Sequence, residues 1–150
     1  MSLKTKIVSD LKEAMKSGDV MKRDTLRMLD AMIKNTEIEK MKKEEGLSDA
    51  EVVEVMSRAV KQRRDSEEQY KKGGRQDLAD KEKKEIEIIS AYLPEQLGEE
   101  KIREIVKNVI SETGAASKAD IGKVMGQAMG RLKGQADGNV VKKVAEELLN

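Results

Sequence analysis

The chain contains no cysteine, no histidine, no phenylalanine and no tryptophan, only two tyrosines and a single proline, Pro94. Without cysteine there is no disulfide, no thiolate nucleophile and no thiolate metal site. Without histidine, the commonest general base and metal ligand is missing too. Much enzymatic chemistry is thereby excluded; no metal or other cofactor is expected, and no catalytic residue stands out. The scarcity of aromatic rings leaves the core to Leu, Ile, Val, Ala and the nine Met, which pack adaptably. No apolar run is long enough to span a bilayer, and no charged-then-apolar segment opens the sequence. A cytoplasmic protein without membrane contact is the expectation.

What is present points to helices. Charged residues make up 39% of the 150 positions, largely Lys and Glu spaced between apolar residues, which favours amphipathic helices over disorder. Ser2 can cap a first helix with Leu3, Ile7, Leu11 and Met15 on its core face and Gly18 as its stop. Asp19 caps a second, carrying Leu26, Leu29, Met32 and Ile33, which the charge pattern extends to near Gly46. Ser48 with Glu51 forms a capping box ahead of Val52, Val55, Met56, Ala59 and Val60. That stripe runs on to Tyr70, where Lys71-Lys72-Gly73-Gly74 sets a tight reversal. The return helix carries Leu78, Ile86, Ile89 and Leu93 inward, with Glu82 at an expected apolar position, which an ion pair across the hairpin would explain. Pro94 pushes the residue before it out of helical geometry and ends the hairpin.

Three shorter helices follow. Ile102, Ile105, Val106, Val109 and Ile110 mark the first, which Gly114 stops. Ser117 with Asp120 starts the second, through Ile121, Val124, Met125, Ala128, Met129 and Leu132. Asp137 caps the last, through Val140, Val141, Val144, Leu148 and Leu149. No strand pattern occurs. The fold class is therefore all-α, with an N-terminal helical domain over 1–93 built around a long hairpin, and a small three-helix domain over 94–150.

The formal charge of +1 conceals local excess. Arg58 to Arg75 holds seven basic residues against three acidic, and Gly114 to Lys143 six against two, so each stretch carries +4. In the first, Lys61, Arg63, Arg64 and Arg75 interleave with Glu67, Glu68, Glu82 and Glu85 and read as interhelical ion pairs. In the second, Lys118, Lys123, Arg131, Lys133 and Lys142 could hold a phosphate backbone if the helices bring them onto one surface, or could form an ordinary solvated face. With so few aromatics to stack on bases, a folded RNA suits them better than a single strand. Beside them Gly122, Gly126, Gly130 and Gly134 recur every four residues. Each interior glycine costs a helix roughly 1 kcal/mol relative to alanine, so close approach of something else must offset it. That is either a neighbouring helix of the same domain or a partner. Ser117-Lys118 could be imagined as nucleophile and base, but Ser117 is better explained as a cap.

The run KQRRDSEEQYKKGGRQDLADKEKKEIEIISAYLPEQL, from Lys61 to Leu97, resembles the YqeY family. SKADIGKVMGQAMGRLKGQADGNVVKKV, from Ser117 to Val144, resembles it again, and is similar to the tail domain of the B subunit of tRNA-dependent amidotransferases. The resemblance implies an all-α protein whose C-terminal part is tail-like and touches tRNA, alone or beside an amidotransferase or another tRNA-handling protein. Gly122, Gly126, Gly134 and Ala136 match the tail pattern, whereas Gly138 stands where the B subunit often has proline. The resemblance also implies a link to glutamine-dependent carbon–nitrogen ligase activity. However, nothing here corresponds to the catalytic portion of the B subunit, nor to the Ser/Lys glutaminase signature, so a non-catalytic role is expected. A protein-interaction module that docks through the glycine ridge or the hairpin is the alternative.

Overall fold

Four of the α-helices begin where a short polar side chain takes up an otherwise unsatisfied backbone N–H. Ser2, Asp19, Ser48 and Asp137 accept from the amides of Thr5, Lys22, Glu51 and Asn139. In the computed structural model, which describes residues 1–149, seven α-helices follow: α1 Leu3–Ser17, α2 Val20–Glu39, α3 Asp49–Lys72, α4 Gln76–Ser90, α5 Glu99–Thr113, α6 Ile121–Arg131 and α7 Gly138–Leu148. A short 3-10 turn, Lys118–Asp120, leads into α6. No strand occurs among the described residues, and the all-α expectation holds. Contacts divide the chain into two compact units, Met1–Leu93 and Pro94–Asn150.

In the first unit α3 packs chiefly on α4 and α1 on α2, and α2 also meets α3 and α4. Ile7, Leu26, Leu29, Ile33, Val52, Val55, Met56, Ala59 and Ile89 form its core. Met15, expected there, is 53% exposed, and Ala14 is buried instead. A strict four-residue repeat drifts about 40° per step around a helix of 3.6 residues per turn, so the fourth member of the series has left the core face. The second helix also stops earlier than expected, at Glu39 rather than near Gly46. Met41 takes a left-handed φ of 57° and the Lys42 amide donates back to the Glu37 carbonyl at 2.7 Å, which closes the helix, and Lys40 and Lys42 meet Glu51 at 3.1 and 3.0 Å.

Glu51 is the anchor of this corner. Its carboxylate accepts from the Ser48 amide, which is the main cause holding its pKa at about 2, and from Lys42 and Lys40, which add to the effect. The folded state therefore favours the ionised form. That stabilisation is fully present above the ordinary value of 4.5 and fades as pH falls towards about 2. Glu51→Gln should lower the melting temperature at neutral pH, and the gap to the wild type should close progressively as melts are recorded from pH 5 down to 2.

The hairpin turns as expected at Gly73-Gly74, where Gly74 adopts φ 73° and the Arg75 amide donates to the Tyr70 carbonyl at 2.8 Å. The ion pair across it joins Arg63 to Glu85 at 3.0 Å, not to Glu82. Glu82 is only partly buried, and that burial raises its pKa. Lys71, Lys72 and Arg75 pair with Glu67, Glu68 and Asp77, so much of the first basic stretch is internally compensated. After α4, Tyr92 is buried and its hydroxyl donates to Asp10 at 2.5 Å, fastening the end of the hairpin to α1.

In the second unit α5, α6 and α7 pack pairwise around Val106, Val109, Val124, Ala128, Leu132, Val141 and Val144. Arg103 of α5 reaches Glu147 of α7 at 2.7 Å. Val140, expected inside, is 37% exposed.

Candidate nucleic-acid interface

The C-terminal unit is organised by α6. Its start is set by Ser117, which accepts from the Ala119 amide, and by Asp120, whose carboxylate accepts from the Ala116 amide at 3.0 Å. Val124 and Ala128 are fully buried, and Ile121, Met125 and Met129 pack half-buried beside them. Gly122, Gly126 and Gly130 consequently lie on the opposite face, all exposed. A methyl group placed on any of the three would meet nothing within 4 Å. The reading of these glycines as a seat for a neighbouring helix of the same domain is thus overturned. They form a bare backbone strip about 12 Å long that nothing in the unit covers.

Gly134 does not continue the strip. It lies beyond the end of α6 with φ 70°, a conformation that suits glycine because a Cβ would clash there. Its carbonyl accepts from the Gln96 side chain, while the Leu97 amide donates to the Gln135 carbonyl at 2.8 Å. The Gln135 side chain returns a bond to the Glu95 carbonyl at 3.4 Å. The PEQL end of the first family-like run and the GQADG segment are therefore stapled to one another within the C-terminal unit. No spacing rule could have revealed that, because the partners are about forty residues apart.

The five candidate cations are all exposed but not equivalent. Lys123 follows Gly122 on α6, and its ammonium donates to the Thr113 carbonyl at 3.3 Å, capping the negative end of α5. Arg131 pairs with Glu112 of α5 through both terminal guanidinium nitrogens. The hydrogen bond from Arg131 holds the Glu112 carboxyl below its ordinary value. Arg131 is therefore a compensated charge and not the open cation expected from sequence. Lys118 in the 3-10 turn, Lys133 after α6 and Lys142 on α7 make no ion pair among the described residues. Lys123 and Arg131 both reach the end of α5, whereas no hydrogen bond or ion pair ties Lys142 to α6 among the described residues. Likewise among the described residues, no cluster of three or more carboxylates is arranged to hold a metal, and no helix is long and apolar enough to cross a membrane.

The chain belongs to the YqeY family: the family model, described as Yqey-like protein, matches residues 4–149. It is similar to proteins named "Altered inheritance of mitochondria protein 41, mitochondrial" in several yeasts. That of Candida glabrata is 38% identical over 86 residues, 57% of this chain and 47% of the relative. That of Lachancea thermotolerans is 37% identical over 105 residues, 69% and 55% of the two chains. That of Saccharomyces cerevisiae is 31% identical over 124 residues, 79% and 65%. The chain spans about half the length of the curated relatives it matches first. The cytoplasmic expectation is contradicted by these names, which describe the relatives as mitochondrial proteins. Lack of a bilayer-spanning run is common to proteins of the cytoplasm and of the mitochondrial interior, so it could not discriminate between them.

Proposed function

We propose that the chain is a non-catalytic RNA-binding protein that holds the folded body of tRNA on its C-terminal unit, beside an amidotransferase or another tRNA-handling enzyme. The observation that carries this reading is the uncovered glycine strip on α6. Three glycines on a solvent face weaken a helix and gain it no internal packing, so their benefit lies in what can approach. Lys123 borders the strip, and Lys118, Lys133 and Lys142 supply exposed charge that no ion pair engages among the described residues. A phosphate backbone can reach such a strip without side chains in its way, guided by ammonium groups that release its counterions.

The strip itself favours a second reading, in which it seats a helix of a protein partner, since small residues allow close helix approach. Two variants of the intact chain separate them. Alanine at Lys118, Lys133 and Lys142 should abolish most tRNA binding under the first reading and leave a protein partner bound under the second. Gly126→Leu should block either ligand. Retention of tRNA binding by both variants in a gel-shift or anisotropy titration would rule out this surface as the RNA site.

A further inference from the structure

Met41 has φ 57° and is the one non-glycine residue in the left-handed region among the described residues. A Cβ opposes that conformation, which is why glycine usually occupies it. Here the chain fixes it from both sides. At the end of α2 the Lys40 amide donates to Thr36, the Met41 amide to Ile38 and the Lys42 amide to Glu37, at 2.9, 3.1 and 2.7 Å. Beyond it the Gly46 amide donates to the Lys42 carbonyl at 2.8 Å, and Leu47 is buried in the core. Lys40 and Lys42, immediately before and after Met41, both hold Glu51. The Met41 side chain is left 91% exposed, beside Ile38 at the rim of a surface concavity shared with Lys43, Glu44 and Glu45.

The chain has no cysteine, so thioethers are its only sulfur. A thioether has no ionisation to tune, so access governs its oxidation. The methionines differ widely in access: Met56 is fully buried, Met15 is half exposed and Met41 is almost free. We infer that Met41 is a site of reversible oxidation, converted by a peroxide to the sulfoxide ahead of the other internal methionines and without loss of the fold. The sulfur lone pair attacks one peroxide oxygen and the O–O bond breaks. An S–O bond forms, sulfur is oxidised by two electrons, and hydrogen peroxide is reduced to water. The product replaces an apolar side chain at the concavity with a polar one.

The test treats the folded, full-length chain with limiting hydrogen peroxide and follows each methionine-containing peptide by mass spectrometry. Met41 should gain oxygen roughly tenfold or more faster than Met56 and ahead of Met15, as exposure dictates. Met1, equally exposed at the first position, is followed in its own peptide. The singly oxidised protein should keep its melting temperature, and methionine sulfoxide reductase should return Met41 to the thioether. In urea all sites should react alike, and Met41→Leu should remove the fastest internal oxidation. Oxidation of Met41 no faster than Met56 in the native chain, or a melting temperature that falls as Met41 alone is oxidised, would overturn the inference.

Discussion

Alanine at Lys118, Lys133 and Lys142 together should weaken binding of folded tRNA by between about tenfold and a hundredfold at low salt, because each ammonium that neutralises a phosphate releases condensed counterions. The same variant should flatten the dependence of log affinity on log salt by about 3 if each lysine makes one phosphate contact. The three side chains are exposed and form no ion pair among the described residues, so the melting temperature should change little. Arg131→Ala provides the internal contrast. Its charge is already met by Glu112, so its removal should cost less affinity than removal of any one of the three lysines. The exposed ion pair is itself worth little to stability. Anisotropy titrations of labelled tRNA across a salt series check both statements. Equal losses from Arg131 and Lys133 would show that the Glu112 pairing does not govern which cations are available.

Alanine at Gly122, Gly126 and Gly130 should act in opposite directions on stability and on binding. All three lie within α6, none has a positive φ, and an added methyl group would enter open space. Each substitution therefore removes unfolded-state entropy and improves helix propensity without a clash. Gly126, at the middle of the helix, should contribute about 1 kcal/mol, and the triple variant about 2 kcal/mol, since Gly122 and Gly130 lie in the end turns where propensity counts less. Denaturant unfolding measures this. Under the RNA-binding reading the same methyl groups hold a ligand backbone away, so affinity for tRNA should fall while stability rises. A more stable triple variant that binds tRNA unchanged would remove the strip from the site and leave the lysines alone to carry it.

Much of this architecture is legible in the sequence because the chemistry that sets it is local. Ser2, Asp19, Ser48, Ser117 and Asp137 announce helix or turn starts because a cap acts over two or three residues. The stripe from Val52 to Val60 is buried at Val52, Val55, Met56, Ala59 and Val60 because its spacing follows the true helical period. The failures lie where no such signal exists. Met41, not a glycine, takes the left-handed turn that ends α2 early. The periodicity of the return helix cannot say whether Glu82 or Glu85 faces Arg63, since that depends on the register between two helices. The candidate site divides in the same way. Glycines every four residues announce a bare face, but whether another helix covers it is a tertiary fact, and here none in the unit does. Lys118, Lys133 and Lys142 are open as the charge count suggests, whereas Arg131 is neutralised by Glu112 from another helix, nineteen residues away.

The most direct test of the RNA-binding reading is a titration of the intact chain with folded tRNA, compared with a single-stranded RNA of equal length, at low and at physiological salt. The predicted result is preference for the folded RNA, since the chain offers two tyrosines in all for base stacking, and Tyr92 is buried. The slope of log affinity on log salt should be about −3 to −4, from the three open lysines and Lys123. Absence of tRNA binding at low salt would contradict the RNA-binding reading.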